Sequence, residues 1–336
     1  MKIKSLFFVF LFAIVLTGLP IYAQSSRPIE IKLASPMPRS SVWGRTLERM
    51  AADWASVTNG AVTLRVIHDG REGSESKMLS SISLNVIHGG LFTAFGIGEI
   101  CPGIMTLSIP FLIKNDQELD MVFKEMQPIL DAQLSKTKFA VIAWSKSGWV
   151  NIFSKDPVFT PDDLRKQRMA SNPDAGDMNR AFKSMGFNIT EIETLDLAPR
   201  LANGTITAIY QAPAAVAPVG MHKYLKNMHN LPLAPFLGGF VINRETWEKI
   251  SPAHREALIK VTQKHFSEFD ASMPRTVAQA MAVMEKDGLV VNKLTSAQEA
   301  MWYNTIQNAM PSLFGRTFDR DMYLKITEIL GKIRNK

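Results

Sequence analysis

The chain is poor in the residues that hold metals and disulfides. Its 336 residues include one cysteine, Cys101, which excludes an intramolecular disulfide and any cysteine-rich zinc or iron–sulfur site. Cys101 has no activating neighbour and reads as a small buried hydrophobe. The six histidines (His68, His88, His222, His229, His254 and His265) never pair at metal-binding helical spacing, and no HExxH occurs. Also absent are a GxSxG nucleophile elbow and a P-loop. Gly96-Ile97-Gly98 follows an apolar stretch, but the third glycine of a dinucleotide fingerprint is missing, so it reads as a plain turn. Asp162-Asp163 suits the first turn of a helix, where negative charge complements the dipole, better than it suits a metal. These absences predict no cofactor, no metal and no enzyme. The net charge of +7 is scattered, without the basic stripe and interleaved aromatics of a nucleic-acid binder.

What is present is an ordinary globular composition, 46% hydrophobic and 21% charged, on a length that suggests about two domains. The first segment differs. Lys2 and Lys4 precede an almost wholly apolar run, Leu6 to Leu19, broken by Pro20 and followed by Ile21-Tyr22-Ala23. This is the pattern of a secretory signal peptide with cleavage after Ala23. The run of roughly 14 residues is short of the roughly 20 that a spanning helix needs. Export to the periplasm is the expectation, and no later stretch reaches spanning length.

Beyond it, strand and helix patterns alternate. Ile29 to Ala34 alternates apolar and polar residues as a strand. Ser40 and Ser41 cap a helix with Leu47, Met50, Trp54 and Val57 on one face, stopped at Asn59-Gly60. Val62 to Val66 is a second strand. Ser74 caps a helix through Val86 that ends at Gly89-Gly90, and Leu91 to Phe95 is a third strand. A helix over Asp116 to Leu134 with a bend at Pro128 follows, then a strand over Phe139 to Trp144. Later come a short helix opened by Thr160-Pro161, a helix from Asp174 to Met185, and strands over Ile206 to Tyr210 and Gly239 to Asn243. A long helix starts at Pro252, with a kink at Pro274. A strand over Leu289 to Leu294 precedes a helix boxed by Thr295 and Gln298, and the tail after Asp319 is helical. The order predicts an α/β fold with parallel pairing. Two α/β lobes form a ligand cleft at the carboxyl ends of strands, and a long helix spans both.

Several short motifs occur in one order. They are Ser35-Pro36 after the first strand, Thr58-Asn59-Gly60, Met105 to Ile113 (MTLSIPFLI), Phe159 to Leu164 (FTPDDL), Leu201-Ala202-Asn203-Gly204, His222-Lys223-Tyr224, and Val241-Ile242-Asn243 with Trp247. In this order and spacing the chain resembles the extracytoplasmic solute-binding proteins of TRAP (tripartite ATP-independent periplasmic) transporters. The resemblance implies a two-lobed periplasmic binding protein fold. Lobe 1 would take residues 24–145 plus about 236–265, lobe 2 residues 146–235 plus about 275–294, and C-terminal helices over 295–336 would pack on both. It implies a small-molecule ligand, usually an organic acid, and membrane permease subunits as partners; an apolar cargo would also suit a helical-repeat periplasmic subunit.

Most members clamp the ligand carboxylate with an arginine, whose planar donors match two carboxylate oxygens. By register that position is Ala170. Two readings stay open. Arg168 stands two residues away, about 6.6 Å along a strand on the same side, and with Lys146 it would replace the missing cation. Alternatively the ligand carries no buried carboxylate and is apolar or amphipathic. Trp149, Ala170, Tyr210, Ala214, Phe236 and Phe240 at cleft positions favour the second, with Asn172 and Gln211 as orienting polar contacts. A scaffold that has lost ligand binding is the further alternative.

Overall fold

Alternation over Ile29–Ala34 makes β1, the strand on which the first half of the sheet is built. The computed structural model describes residues 28–335, so the export segment and its cleavage point lie outside the described residues. β1 pairs in parallel with β2 (Val62–Ile67) on one side and β3 (Gly89–Thr93) on the other. The crossovers are α1 (Val42–Val57) and α2 (Glu75–Ser83). Ser41 caps α1, its hydroxyl accepting from the Gly44 N–H at 3.0 Å, one of the donors a helix start leaves without an internal partner. Asn59 and Gly60 turn the chain out of α1 at φ 49° and 78°.

The chain continues through α3 (Ala94–Ile100), a 3-10 turn (Pro102–Ser108) and α4 (Asp116–Leu134), which runs through Pro128. β4 (Phe139–Ser154) is the longest strand of the sheet. After α5 (Pro161–Arg165) come β5 (Met169–Ser171), α6 (Gly176–Ser184), β6 (Ile189–Glu191), α7 (Thr194–Ala202), β7 (Ala208–Gln211) and α8 (Pro213–Val216). β8 (Asn227–His229), β9 (Ala234–Asn243), α9 (Arg244–Glu248), α10 (Pro252–Lys286), β10 (Val290–Asn292), α11 (Ser296–Leu313) and α12 (Arg320–Arg334) complete the described chain. The sheet order is β2-β1-β3-β9-β4-β7-β5-β6, with β8 beside β4 and β10 beside β8.

Two expectations give way. Gly89 and Gly90 open β3 instead of ending α2, which stops at Ser83. A Cβ on Gly89 would lie 2.8 Å from the Val241 carbonyl and 2.9 Å from the Phe240 ring, so glycine is what lets β3 lie against β9. Gly96-Ile97-Gly98 is helical within α3, whose start is capped by the Thr93 hydroxyl.

β4 and β9 join the halves. β9 pairs antiparallel with both β3 and β4. β4 follows β9 as far as Val150, then pairs with β7 from Asn151. Its register shifts between Lys146 and Trp149, around Gly148 at φ +89°. α10, at 35 residues about 52 Å long, packs on α1 and β4 and reaches α8. The indole N–H of Trp54 in α1 donates to the Thr262 hydroxyl of α10 at 2.9 Å in the core. α11 packs on α5 and α6, and α12 on α4. There Arg334 grips Glu118 with two bonds of 2.8 Å, which hold the Glu118 carboxyl below its ordinary range.

Gly148 sits where an L-residue is strained by about 1–2 kcal/mol, although the space around it is open enough for a methyl group. Gly148→Ala should therefore lower the urea unfolding free energy by about that amount with the denaturant slope unchanged. An unaltered midpoint would show that the left-handed turn is not required.

Candidate functional site

Strand alternation on β4 decides what faces the junction between the halves. Trp144 and Lys146 point toward α4: Trp144 packs edge-on to Phe123 at 5.7 Å, and Lys146 pairs with Asp120. Ser145 and Ser147 point the other way. The Ser145 hydroxyl donates to Asp270 of α10 at 2.8 Å, and the Lys146 N–H reaches both oxygens of that carboxylate at 3.1 Å. Ser147 lines a cavity of about 20 Å³ at the carboxyl ends of β1 and β3, walled by Trp43, Leu91, Phe92, Thr93 and Phe236. That volume holds about one water molecule. Trp43 in turn lies on the Phe269 ring of α10 at 3.6 Å.

The sequence-predicted residues scatter around this junction. Phe236 lines the cavity. Phe240 does not: it is 0% exposed and packs on Trp54 at 5.8 Å in the core of the first half, because its register on β9 turns it under the sheet. Trp149 lies past the bulge and points toward α4, its indole N–H donating to Asp116 at 2.8 Å. Ala170 is 7% exposed and packs in an apolar cluster with Phe153, Ile209 and Val216. Tyr210 lies edge-on to Phe182 at 5.9 Å, and burial pushes its phenol up. Asn172 caps the turn Pro173–Ala175, Gln211 accepts from the Ala212 N–H at 2.9 Å, and Ala214 is half-buried in α8.

Neither proposed replacement cation faces the junction. Arg168 precedes β5, and its Nε donates to the Thr205 carbonyl at 2.7 Å while an Nη donates to the Gly204 carbonyl. Two of its five N–H donors are engaged on the chain that follows α7. Lys146 is held by Asp120 on the far side of β4.

Three acids, Glu75, Asp174 and Asp270, are held among the elements that meet at this junction, and the sequence reading missed them. Glu75 opens α2 and is buried. Its carboxylate accepts from the Thr93 N–H at 3.0 Å, the Thr93 hydroxyl at 3.0 Å and the Gly96 N–H at 2.7 Å. Gly96 is required, since a Cβ there would lie 2.2 Å from the carboxylate. Burial pushes Glu75 up to about 7, against its hydrogen bonds and helped by nearby Asp174. Asp174 accepts from the Glu75 N–H at 2.7 Å and the Ser76 hydroxyl at 2.7 Å. Burial likewise raises Asp270 to about 6. The only sequence signal for Glu75 and Asp174 was their place at helix starts, which a dipole already explains. Among the described residues no group of three or more His, Cys, Asp or Glu side chains is placed to hold a metal, and no helix is long and apolar enough to cross a membrane.

Comparison with known proteins places this geometry. The family described as bacterial extracellular solute-binding protein, family 7 (DctP), matches residues 33–317. The chain belongs to this family. A solute-binding protein of Chromohalobacter salexigens is 23% identical over 262 residues, covering 76% of this chain and 77% of that one. The fold matches a TRAP periplasmic solute-binding protein of Ralstonia eutropha H16 with bound (S)-2-acetolactate at a TM-score of 0.83, with 20% identity over 90% of this chain and 99% of that one. It also matches one of Sulfurospirillum deleyianum with bound succinate at a TM-score of 0.81, with 16% identity and the same coverage. The two-lobed binding-protein fold and the family read from the motif order are thus both found. Family members are transport receptors that bind small molecules outside the cytoplasmic membrane.

The raised Glu75 gives this receptor a pH signature. Between about pH 4.5 and 7 the folded chain keeps a proton on Glu75 that the unfolded chain has released, so raising the pH costs stability there. Asp270 acts in the same sense between 3.8 and about 6. His229, buried and held down to about 4, acts oppositely between about 4 and 6.5. In Glu75→Gln the stability difference from the parent should change by up to about 1.4 kcal/mol per pH unit across pH 4.5 to 7. Parallel pH–stability curves for the two proteins would show that Glu75 does not titrate there.

Proposed function

We propose that this chain is the periplasmic receptor of a TRAP-type secondary transporter, and that it captures a small neutral ligand, apolar or amphipathic, and delivers it to the membrane permease. It acts as a receptor and not as an enzyme. One observation carries the ligand class. By the family register the clamp position falls on Ala170, and Arg168, two residues before it in the chain, donates to the carbonyls of residues 204 and 205. A buried carboxylate without a paired cation costs several kcal/mol, and Asp174 adds like charge. The rings of Trp43, Phe92 and Phe236 supply apolar contact instead. Several TRAP solute-binding proteins of the same fold hold acids. An acid reading here would need Arg168 to turn its remaining N–H groups toward the ligand. β4 exchanges β9 for β7 between Val150 and Asn151, just after the bulge at Gly148, which supports a lobe division a few residues beyond the expected 145–146. Delivery through a helical-repeat periplasmic subunit is compatible with an apolar cargo.

A second reading, a periplasmic scaffold that binds no ligand, is favoured by one feature: the cavity has room for about one water molecule.

Thermal shift separates the readings. A ligand at 100 times its dissociation constant stabilises by about 2.7 kcal/mol. Short aliphatic alcohols and amides should raise the melting temperature, and succinate, 2-acetolactate and D-glucuronate should not. A rise with any of the acids refutes the neutral-ligand reading, and silence across both sets favours the scaffold. Ala170→Arg should weaken the neutral ligands by an order of magnitude or more; unchanged binding would place the pocket elsewhere.

A further inference from the structure

A side-chain contact joins the two halves of the sheet, and the geometry of that contact plays no part in the ligand reading. Asp174 lies in the turn after β5, in the second half; α2 lies between β2 and β3, in the first. Asp174 Oδ2 accepts from the Glu75 N–H at 2.7 Å, and Oδ1 accepts from the Ser76 N–H at 3.4 Å. The Ser76 hydroxyl stands 2.7 Å from Oδ1 and also within reach of Glu99, with one proton to give. The two backbone donors are the first of α2, which have no partner inside the helix. A carboxylate gains there from both the helix dipole and charge-assisted hydrogen bonds.

The helix does not need this residue as its cap. Ser74 already caps α2 by accepting from the Lys77 N–H at 3.3 Å. The turn, in contrast, is built to present Asp174. The Asp174 N–H donates to the Asn172 side chain at 2.9 Å. The Asn172 carbonyl accepts from Asn179 at 2.9 Å, and Asn179 is fully buried. Pro173 fixes one dihedral between them, and the turn packs on α3 of the first half.

We infer that Asp174 is the closure latch of this receptor: a carboxylate presented by the second half that seats on the first backbone N–H groups of α2 and draws the halves together without any charge from a ligand. Asp174 is a positioning residue, and the inference stands whichever ligand class is correct.

The test measures the distance between the halves in ligand-free protein. Nitroxides go on Leu84→Cys, after α2, and Leu195→Cys, on α7, both about three-quarters exposed. Cys101 is buried, and its burial pushes the thiol up to about 11, so it stays unlabelled. Pulsed electron resonance should show a predominant short-distance population in the doubly labelled parent. Asp174→Ala should lower the closed-to-open ratio about tenfold or more, the scale of one charge-assisted hydrogen bond. Asp174→Asn should fall between, and Ser76→Ala, approaching from the other half, should lower it about threefold. A folded Asp174→Ala variant with the parent's distance distribution overturns the latch, as does a parent that is only open. Should Asp174→Ala fail to fold, an unchanged distribution in Ser76→Ala overturns it equally. Thermal shifts with neutral or acidic compounds report on the ligand class alone, so the two readings fail separately.

Discussion

The antiparallel ladder between β4 and β9, from Phe139 to Val150, is the constraint from which the junction follows. Two strands carry the backbone from one half to the other, and each side chain on them is assigned to a face by the two-residue period. Alternate residues of β4 look at α4, and their neighbours look at α10 and the cavity. A shift of register between Lys146 and Trp149 precedes the exchange of β9 for β7 after Val150, where the second half begins. It also sets which residues are withheld from the ligand: Lys146 is within a residue of Ser147, yet it is committed to the opposite face. α10 reinforces the ladder by packing along both halves, with Trp54 and Thr262 bonded beneath it.

Much of this was legible in the sequence wherever local chemistry is decisive. Ser41, Ser74, Asn115, Thr160, Thr295 and Asp319 each cap a helix through a side-chain oxygen, and such caps need no tertiary context. The long amphipathic segments and the alternating strand β1 were equally plain. The three-residue strands β5, β6 and β8 were not, because three residues carry no measurable period and pair only because β7, β5 and β4 in turn present an edge to them. Gly89 and Gly90 misled for a related reason. Glycine after a helix usually marks its end, but here its missing side chain serves the approach of β9.

The site was less legible than the fold. The family's motif register sets Ala170, and not an arginine, at the expected clamp position. Where Arg168 would turn could not be read, since that depends on the carbonyls of Gly204 and Thr205 coming near from 36 and 37 residues away. Phe240 illustrates the opposite error: an aromatic at a cleft-like position proves to be core, since burial is decided by the sheet stacked on it. Glu75 and Asp174 were hidden because an acid at a helix start has a sufficient local explanation. Only the fold shows that one of them caps a helix in the other half of the molecule.

Closure needs a driving force, and its source depends on the ligand. A carboxylate ligand brings its own: it bridges a guanidinium on one lobe to donors on the other, and each charge-assisted bond contributes about 1.5–3 kcal/mol. A neutral ligand offers apolar area, which is non-directional and does not by itself tell two lobes how to meet. In the proposed reading, a receptor with Ala170 at the clamp position would lose directional closure as well as affinity for acids. A carboxylate carried by the protein restores the direction. At about 1.5–3 kcal/mol the bond shifts a two-state ratio by about 10- to 150-fold, enough to set the resting geometry, and the apolar ligand then needs only to fill the space between. In that reading the alanine and the aspartate, four residues apart on one strand-to-helix connection, would be two parts of one change in how the lobes are brought together.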